Sequence, residues 1–205
     1  MAESARHAED HILVIVGTDH HPFDRLIGWT NEWLKQHPEK ASGLFVQWGS
    51  TSARPACAGA RFLDVGELAD RLDHADVIVC HGGPGTIAEA WARGQMPIVV
   101  PRLAGMGEHV DNHQADFCEK FAALGRIALA RTLPEFIKLL SQAVAEPALF
   151  RVASSGPQAD QAVARLGSLI EELVSRPWRL SLISKGRWRR WRRRTGPSRH
   201  TIAGS

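Results

Sequence analysis

Asp76-Val77-Ile78-Val79-Cys80-His81-Gly82-Gly83-Pro84-Gly85-Thr86-Ile87-Ala88-Glu89 passes from an apolar run through a glycine turn into a helical pattern. Val77 to Cys80 reads as a strand buried on both faces, and such strands belong to parallel sheets covered by helices. The helix reads from about Pro84 to Arg93. Pro84 suits its first turn, where a missing N–H costs nothing, and Gly94 stops it. Glycines let a backbone approach a ligand closely, and a helix start offers free N–H groups and the positive end of its dipole. That is a place for phosphate, to which Thr86 adds a hydroxyl. Glu89, one turn further in, is placed to accept hydrogen bonds from the two hydroxyls of a ribose. The same residues also suit a tight turn whose glycines serve packing alone, with Glu89 solvated. The pattern is neither GxGxxG nor GxxxxGK[ST], and no Lys follows it, so dinucleotide oxidoreductases and P-loop enzymes lose their best support.

Outward from this stretch, short apolar runs alternate with helical patterns, as parallel βαβ units require. Strands read at Ile12 to Val16, Leu44 to Trp48, Arg61 to Leu63, Pro97 to Val100 and Ile127 to Ala130. Helices read at Pro22 to Gln36, Val65 to His74, Asp111 to Leu124, from Pro134 to Ala145, and from Gln158 to Val174. The predicted fold class is α/β, a Rossmann-like doubly wound parallel sheet followed by a C-terminal helix and a basic tail.

Two further polar loops fall at the C-terminal ends of predicted strands, where ligands of such sheets bind. Gly17-Thr18-Asp19-His20-His21-Pro22-Phe23-Asp24-Arg25 follows the first strand. Its His20 and His21 are the candidates for a general base, set against the ordinary case of solvated loop histidines. Pro101-Arg102-Leu103-Ala104-Gly105-Met106-Gly107-Glu108-His109-Val110-Asp111-Asn112-His113-Gln114 is longer and more polar than a connection needs. Its polar end fits a hydroxyl-rich ligand such as a sugar, while Asp111 and Asn112 also suit N-capping. His109 and His113, four apart, lack a third ligand at suitable spacing, so no metal is expected.

These three segments together resemble the C-terminal domain of glycosyltransferase family 28, with small bacterial exopolysaccharide subunits and the catalytic subunit of the eukaryotic dolichyl-diphosphate N-acetylglucosaminyltransferase as similar members. The resemblance rests on Gly17-Thr18 with Pro22 to Ile27, His81 to Ile87 and Gly107 to Gln114, and covers about Ile12 to Leu140. It implies the C-terminal lobe of a GT-B enzyme that binds a UDP-sugar and transfers the sugar with inversion, without cofactor or metal. The implied donor-binding residues are Gly17, Thr18, Gly82, Gly83, Gly85, Thr86, Glu89, His109, Asn112, His113 and Gln114. In such similar proteins Pro84 is often replaced by a small residue that keeps its N–H. A full GT-B enzyme has two lobes, and this chain has room for one. The implied partner is a membrane-associated subunit that supplies the acceptor lobe and a lipid-linked or polysaccharide acceptor. A non-catalytic nucleotide-sugar-binding subunit and an epimerase-like enzyme are the other readings, the second usually needing both lobes in one chain.

The chain has 205 residues, 44% of them hydrophobic, enough for one packed domain and an appendage. The expected organisation is a polar arm over 1–10, the nucleotide-sugar-binding domain over 11–150, a helical segment over 151–176 and a basic tail over 177–205. Three cysteines, Cys57, Cys80 and Cys118, match neither a disulfide framework nor a metal clip and point to the cytoplasm. No secretory signal is legible, and no apolar run approaches the roughly 20 residues that cross a bilayer. Net charge is +3, yet from Arg176 onward ten basic residues meet no acidic one, leaving the body at −7. The tail interleaves Trp178, Trp188 and Trp191 with arginines. Interfacial tryptophans and arginines at about 1 kcal/mol each near anionic lipid suit a membrane surface, which implies a peripheral place on the inner face of the cytoplasmic membrane. Nucleic acid is disfavoured by the acidic body, and a solvated extension is the bland alternative.

Overall fold

The computed structural model describes residues 11–110 and 112–152. The expected arm over 1–10, nearly all of the helical segment over 151–176, the basic tail and Asp111 lie outside the described residues, as does the side chain of His113. Six strands, β1 (Ile12–Ile15), β2 (Leu44–Gln47), β3 (Ala58–Ala60), β4 (Val77–His81), β5 (Ile98–Val100) and β6 (Ala128–Leu129), form one sheet in the order β3-β2-β1-β4-β5-β6. Every pairing is parallel. The helices are α1 (Asp24–Gln36), α2 (Val65–His74), α3 (Pro84–Ala92), α4 (His113–Ala123) and α5 (Leu133–Ala145). This is the doubly wound α/β architecture that the alternating pattern predicts.

Alternate strand residues divide the core into two layers. Ile12, Val14, Leu44, Val46, Val77 and Val79 meet Leu26, Ile27 and Trp33 of α1 and Phe136 and Leu140 of α5. Leu13, Ile15, Ile78, Cys80 and Val99 meet Leu72 of α2, Ile87 and Ala90 of α3 and Cys118 of α4. Both faces of the central strands are thus covered, which is why they read as continuous apolar runs.

The third strand is a correction. The sequence suggests Arg61 to Leu63, whereas β3 occupies Ala58–Ala60, pairing Phe45 with Ala58 and Gln47 with Ala60. Gly59 decides that register. A Cβ there would stand 2.3 Å from the Val46 carbonyl oxygen and 3.0 Å from the Trp48 ring, so only glycine fits beside β2. Small residues carry no β-branched signal, and the apolar Phe62 and Leu63 drew the prediction three residues onward. Arg61 still takes part, accepting from the Gly49 N–H and donating from Nε to the Gly49 carbonyl.

Candidate functional site

In this strand order the connections leave β1 and β4 in opposite directions, opening a crevice above their C-terminal ends. A cleft of about 410 Å³ lies there. Gly17, Thr18 and Asp19 line it from the β1–α1 loop, His81 and Gly83 from the end of β4, and Gly85 and Thr86 from the start of α3. Gln47, Leu63, Leu68 and Gln114 complete the walls, with Ile15 at the base.

The glycine turn has the properties that anion binding needs. α3 begins at Pro84 with Gly83 as its N-cap residue, no side-chain cap and no acidic residue in the first turn. The first intrahelical bond in this turn runs from Ile87 N–H to the Gly83 carbonyl, so the N–H groups of Gly85 and Thr86 belong to the unsatisfied helix start. Both residues face the cleft, and nothing stands within 4 Å of a Cβ built on Gly85.

His81 is wedged between two glycines. A Cβ on Gly83 would lie 2.1 Å from its Nε2, and a Cβ on Gly17 2.6 Å from its Cε1. Gly17 also has φ +85°, a conformation that glycine adopts freely, and it is held on both sides by Gln47. Its N–H donates to Gln47 Oε1 at 3.0 Å, and Gln47 Nε2 donates to its carbonyl at 3.1 Å. The His81 Nδ1 is buried and has no hydrogen-bond partner, as is true of Gln114 Oε1. Burial, helped by the Arg102 charge and opposed by the Ile15 carbonyl and Asp19, pushes the His81 imidazole down to about 4. Two buried polar atoms without partners, His81 Nδ1 and Gln114 Oε1, therefore belong to residues that line the cleft, and such atoms call for a ligand.

The two remaining loops are locked together by buried charge. Arg102 is fully buried, its Nη2 donating to the Val16 carbonyl at 2.8 Å and its Nη1 to the carbonyls of His21 at 2.9 Å and Glu108 at 3.0 Å. Arg25 forms a two-pronged pair with Glu108, Nε to Oε1 at 2.9 Å and Nη2 to Oε2 at 2.7 Å, and also donates to the Pro101 carbonyl. Glu108 in turn accepts from the Leu103 N–H. Against this frame, Asp19 Oδ1 accepts from both the backbone and the ring Nδ1 of His21, each at 2.7 Å. Burial pushes the Asp19 carboxyl up, but the His21 N–H groups and the Arg102 charge outweigh it and hold it below the ordinary carboxylate range.

The structure brings most, though not all, of the sequence-predicted residues to this cleft. Gly17, Thr18, Gly83, Gly85, Thr86 and Gln114 line it. Gly82 sits just beneath, buried, where a Cβ would meet Cys118 Sγ at 2.9 Å, so its glycine serves packing against α4. Glu89 lies one turn beyond Gly85, exposed, its Oε2 accepting from Arg93 Nη1 at 2.6 Å, and it does not line the cleft. Asn112 Oδ1 accepts from the Ala104 N–H, bracing the β5–α4 loop rather than capping α4. His20, His21 and His109 gather around Asp19 beside the cleft. The sequence reading assigned no role to His81, Asp19 or Gln47. Gln47 was detectable as a lone amide in an apolar strand, and His81 as a polar residue between a buried strand and a glycine turn.

Comparison with known proteins adds the family. The model of the glycosyltransferase family 28 C-terminal domain matches residues 11–155. The chain belongs to that family. This family 28 domain is 38% identical over 89 residues to the UDP-N-acetylglucosamine–N-acetylmuramyl-(pentapeptide) pyrophosphoryl-undecaprenol N-acetylglucosamine transferase of Bdellovibrio bacteriovorus, a match that covers 42% of this chain and 23% of the relative. The crystal structure of MurG from Acinetobacter baumannii aligns at 18% identity with a TM-score of 0.52, over 78% of this chain and 50% of that one. The glycotransferase of kitacinnamycin aligns at 20% identity with a TM-score of 0.50, over 80% and 39% respectively. The family 28 domain therefore has a glycosyltransferase fold of GT-B type and spans half or less of each of these proteins.

Proposed function

We propose that this domain is the donor-binding subunit of a UDP-sugar-dependent hexosyltransferase, acting with inversion on a lipid-linked or polysaccharide acceptor in exopolysaccharide synthesis. The observation that carries the reading is the cleft between β1 and β4. There the free N–H groups of Gly85 and Thr86, the α3 dipole, the neutral His81 and the Gln114 side chain converge. The helix start and His81 take the diphosphate, Gln114 takes sugar hydroxyls, and Gly17 and Thr18 approach the phosphates from the other wall. Developing negative charge on the leaving diphosphate is met by preorganised N–H donors, so the transfer needs no metal at that position. Glu89, its carboxylate oriented by Arg93, lies one turn further along α3 for the ribose hydroxyls. In this reading a membrane-associated partner subunit supplies the acceptor lobe, and the complex works at the inner face of the cytoplasmic membrane.

Calorimetric titration of the chain with UDP, UDP-N-acetylglucosamine, UDP-glucose and UDP-glucuronate, without metal, tests this reading. UDP should bind, with one sugar preferred, and Gly83→Ala should abolish binding because its Cβ would stand 2.1 Å from His81 Nε2. Failure of every nucleotide to bind, both to the chain alone and to the chain with its partner, would overturn the proposal. In the complex, Glu89→Ala should stop transfer while assembly persists. Undiminished transfer would instead make the chain a non-catalytic subunit.

A further inference from the structure

Beside the cleft, one carboxylate gathers three imidazoles. His21 Nδ1 lies 2.7 Å from Asp19 Oδ1, His20 Nδ1 3.6 Å from the same oxygen, and His109 Nε2 3.8 Å from Oδ2. The rings of His20 and His21 stand 3.9 Å apart between centroids, and those of His21 and His109 6.2 Å. One donor atom from each of Asp19, His20 and His21 lies within 4.8 Å of the others; His109 stands outside that group and approaches the carboxylate through its second oxygen. His20 and His21 come from the β1–α1 loop and His109 from the β5–α4 loop, which Arg102 and the Arg25–Glu108 pair hold together.

Two N–H groups of His21 already hold Asp19 Oδ1, and His20 and His109 bring two further imidazoles to the same carboxylate. Three imidazole nitrogens and one carboxylate oxygen are, however, a ligand set that zinc takes. At metal–ligand bonds of about 2.0–2.2 Å, neighbouring tetrahedral ligands are roughly 3.3 Å apart. The His20 and His109 distances to Asp19 are close to that spacing, and the shorter His21 contact is a hydrogen bond that an ion would replace. Imidazole-rich sets select zinc, copper and nickel, whereas magnesium and calcium prefer oxygen donors.

We propose that Asp19, His20, His21 and His109 form a binding site for one divalent transition-metal ion of the zinc class. The site clamps the β1–α1 loop to the β5–α4 loop. It shares Asp19 with the cleft wall but uses no residue of the glycine turn, and it does not depend on the donor reading.

The test uses the full chain stripped by a chelator and titrated with Co²⁺, read by visible d–d absorption, then with Zn²⁺ in calorimetric competition. One equivalent should bind with histidine nitrogen in the ligand sphere, and excess Mg²⁺ should not displace it. His21→Gln and His109→Gln, far apart in the chain, should each weaken binding by at least about tenfold. His74→Gln, on an exposed residue of α2, should leave the affinity unchanged. Circular dichroism of each metal-free variant separates ligand loss from unfolding, and Asp19→Asn supplies a near-isosteric replacement if a histidine variant fails to fold. Absence of Co²⁺ uptake, or uptake that survives both His21→Gln and His109→Gln, would show only a hydrogen-bonded cluster and overturn the proposal.

Discussion

His81 shows how much one residue draws from its neighbours. It ends β4, and its ring fills the space that Gly17 and Gly83 leave by lacking a Cβ. Its folded-state value of about 4 lies below the ordinary 6.5, so on acidification the unfolded chain takes up the proton first. Its contribution to stability is therefore complete above the unfolded value and is lost as pH falls toward the folded one. Between pH 7 and pH 5 this amounts to about 2 kcal/mol. His81→Asn should lose that much less stability than the wild type over the same interval, as urea unfolding at the two pH values would measure. Equal losses would mean that the folded imidazole takes up its proton as readily as the unfolded one. The glycine turn and the helix start at Pro84 were readable from the sequence. The place of His81 between two glycines of different loops was not, because it depends on β1 lying next to β4.

At the scale of elements, the β1–α1 and β5–α4 loops act as one unit because Arg102 satisfies three carbonyls that lie in different segments. Arg102→Met removes the charge but leaves Val16, His21 and Glu108 carbonyls without their donor. It should cost about 3 kcal/mol or more, by analogy with breaking other buried charge contacts. It should also weaken UDP binding, since Gly17 and Thr18 share the loop it anchors. Denaturant unfolding and calorimetry on the same preparation would check both, and a stable variant with full UDP affinity would show that the loops hold their geometry without it. The strand and helix pattern was legible for most elements, from Ile12–Ile15 to Leu133–Ala145. It failed at Ala58–Ala60, where close backbone approach rather than propensity places the strand. Spacing along the chain also gave no sign that folding sets His109 beside Asp19.

At the scale of the whole molecule, the sheet order places every cleft-lining loop on one edge, and the described fold is a single lobe matching half or less of the solved glycosyltransferases it resembles. Among the described residues no helix is long and apolar enough to cross a membrane. On the proposed function, the isolated chain is expected to bind UDP yet release it from a UDP-sugar only after the acceptor-lobe partner is added, as coupled UDP detection would show. Equal turnover without the partner would place the acceptor site on this chain. The sequence by itself determined the doubly wound class, the strand–glycine–helix turn and membership of family 28, since these depend on local periodicity and on residues adjacent in the chain. Only the tertiary structure decided that His81 and Gln114 face one cleft, that Arg102 ties its loops, and that three histidines surround Asp19. Those relations join residues distant in sequence, and the order of strands in the sheet and the packing of loops above it set their distances.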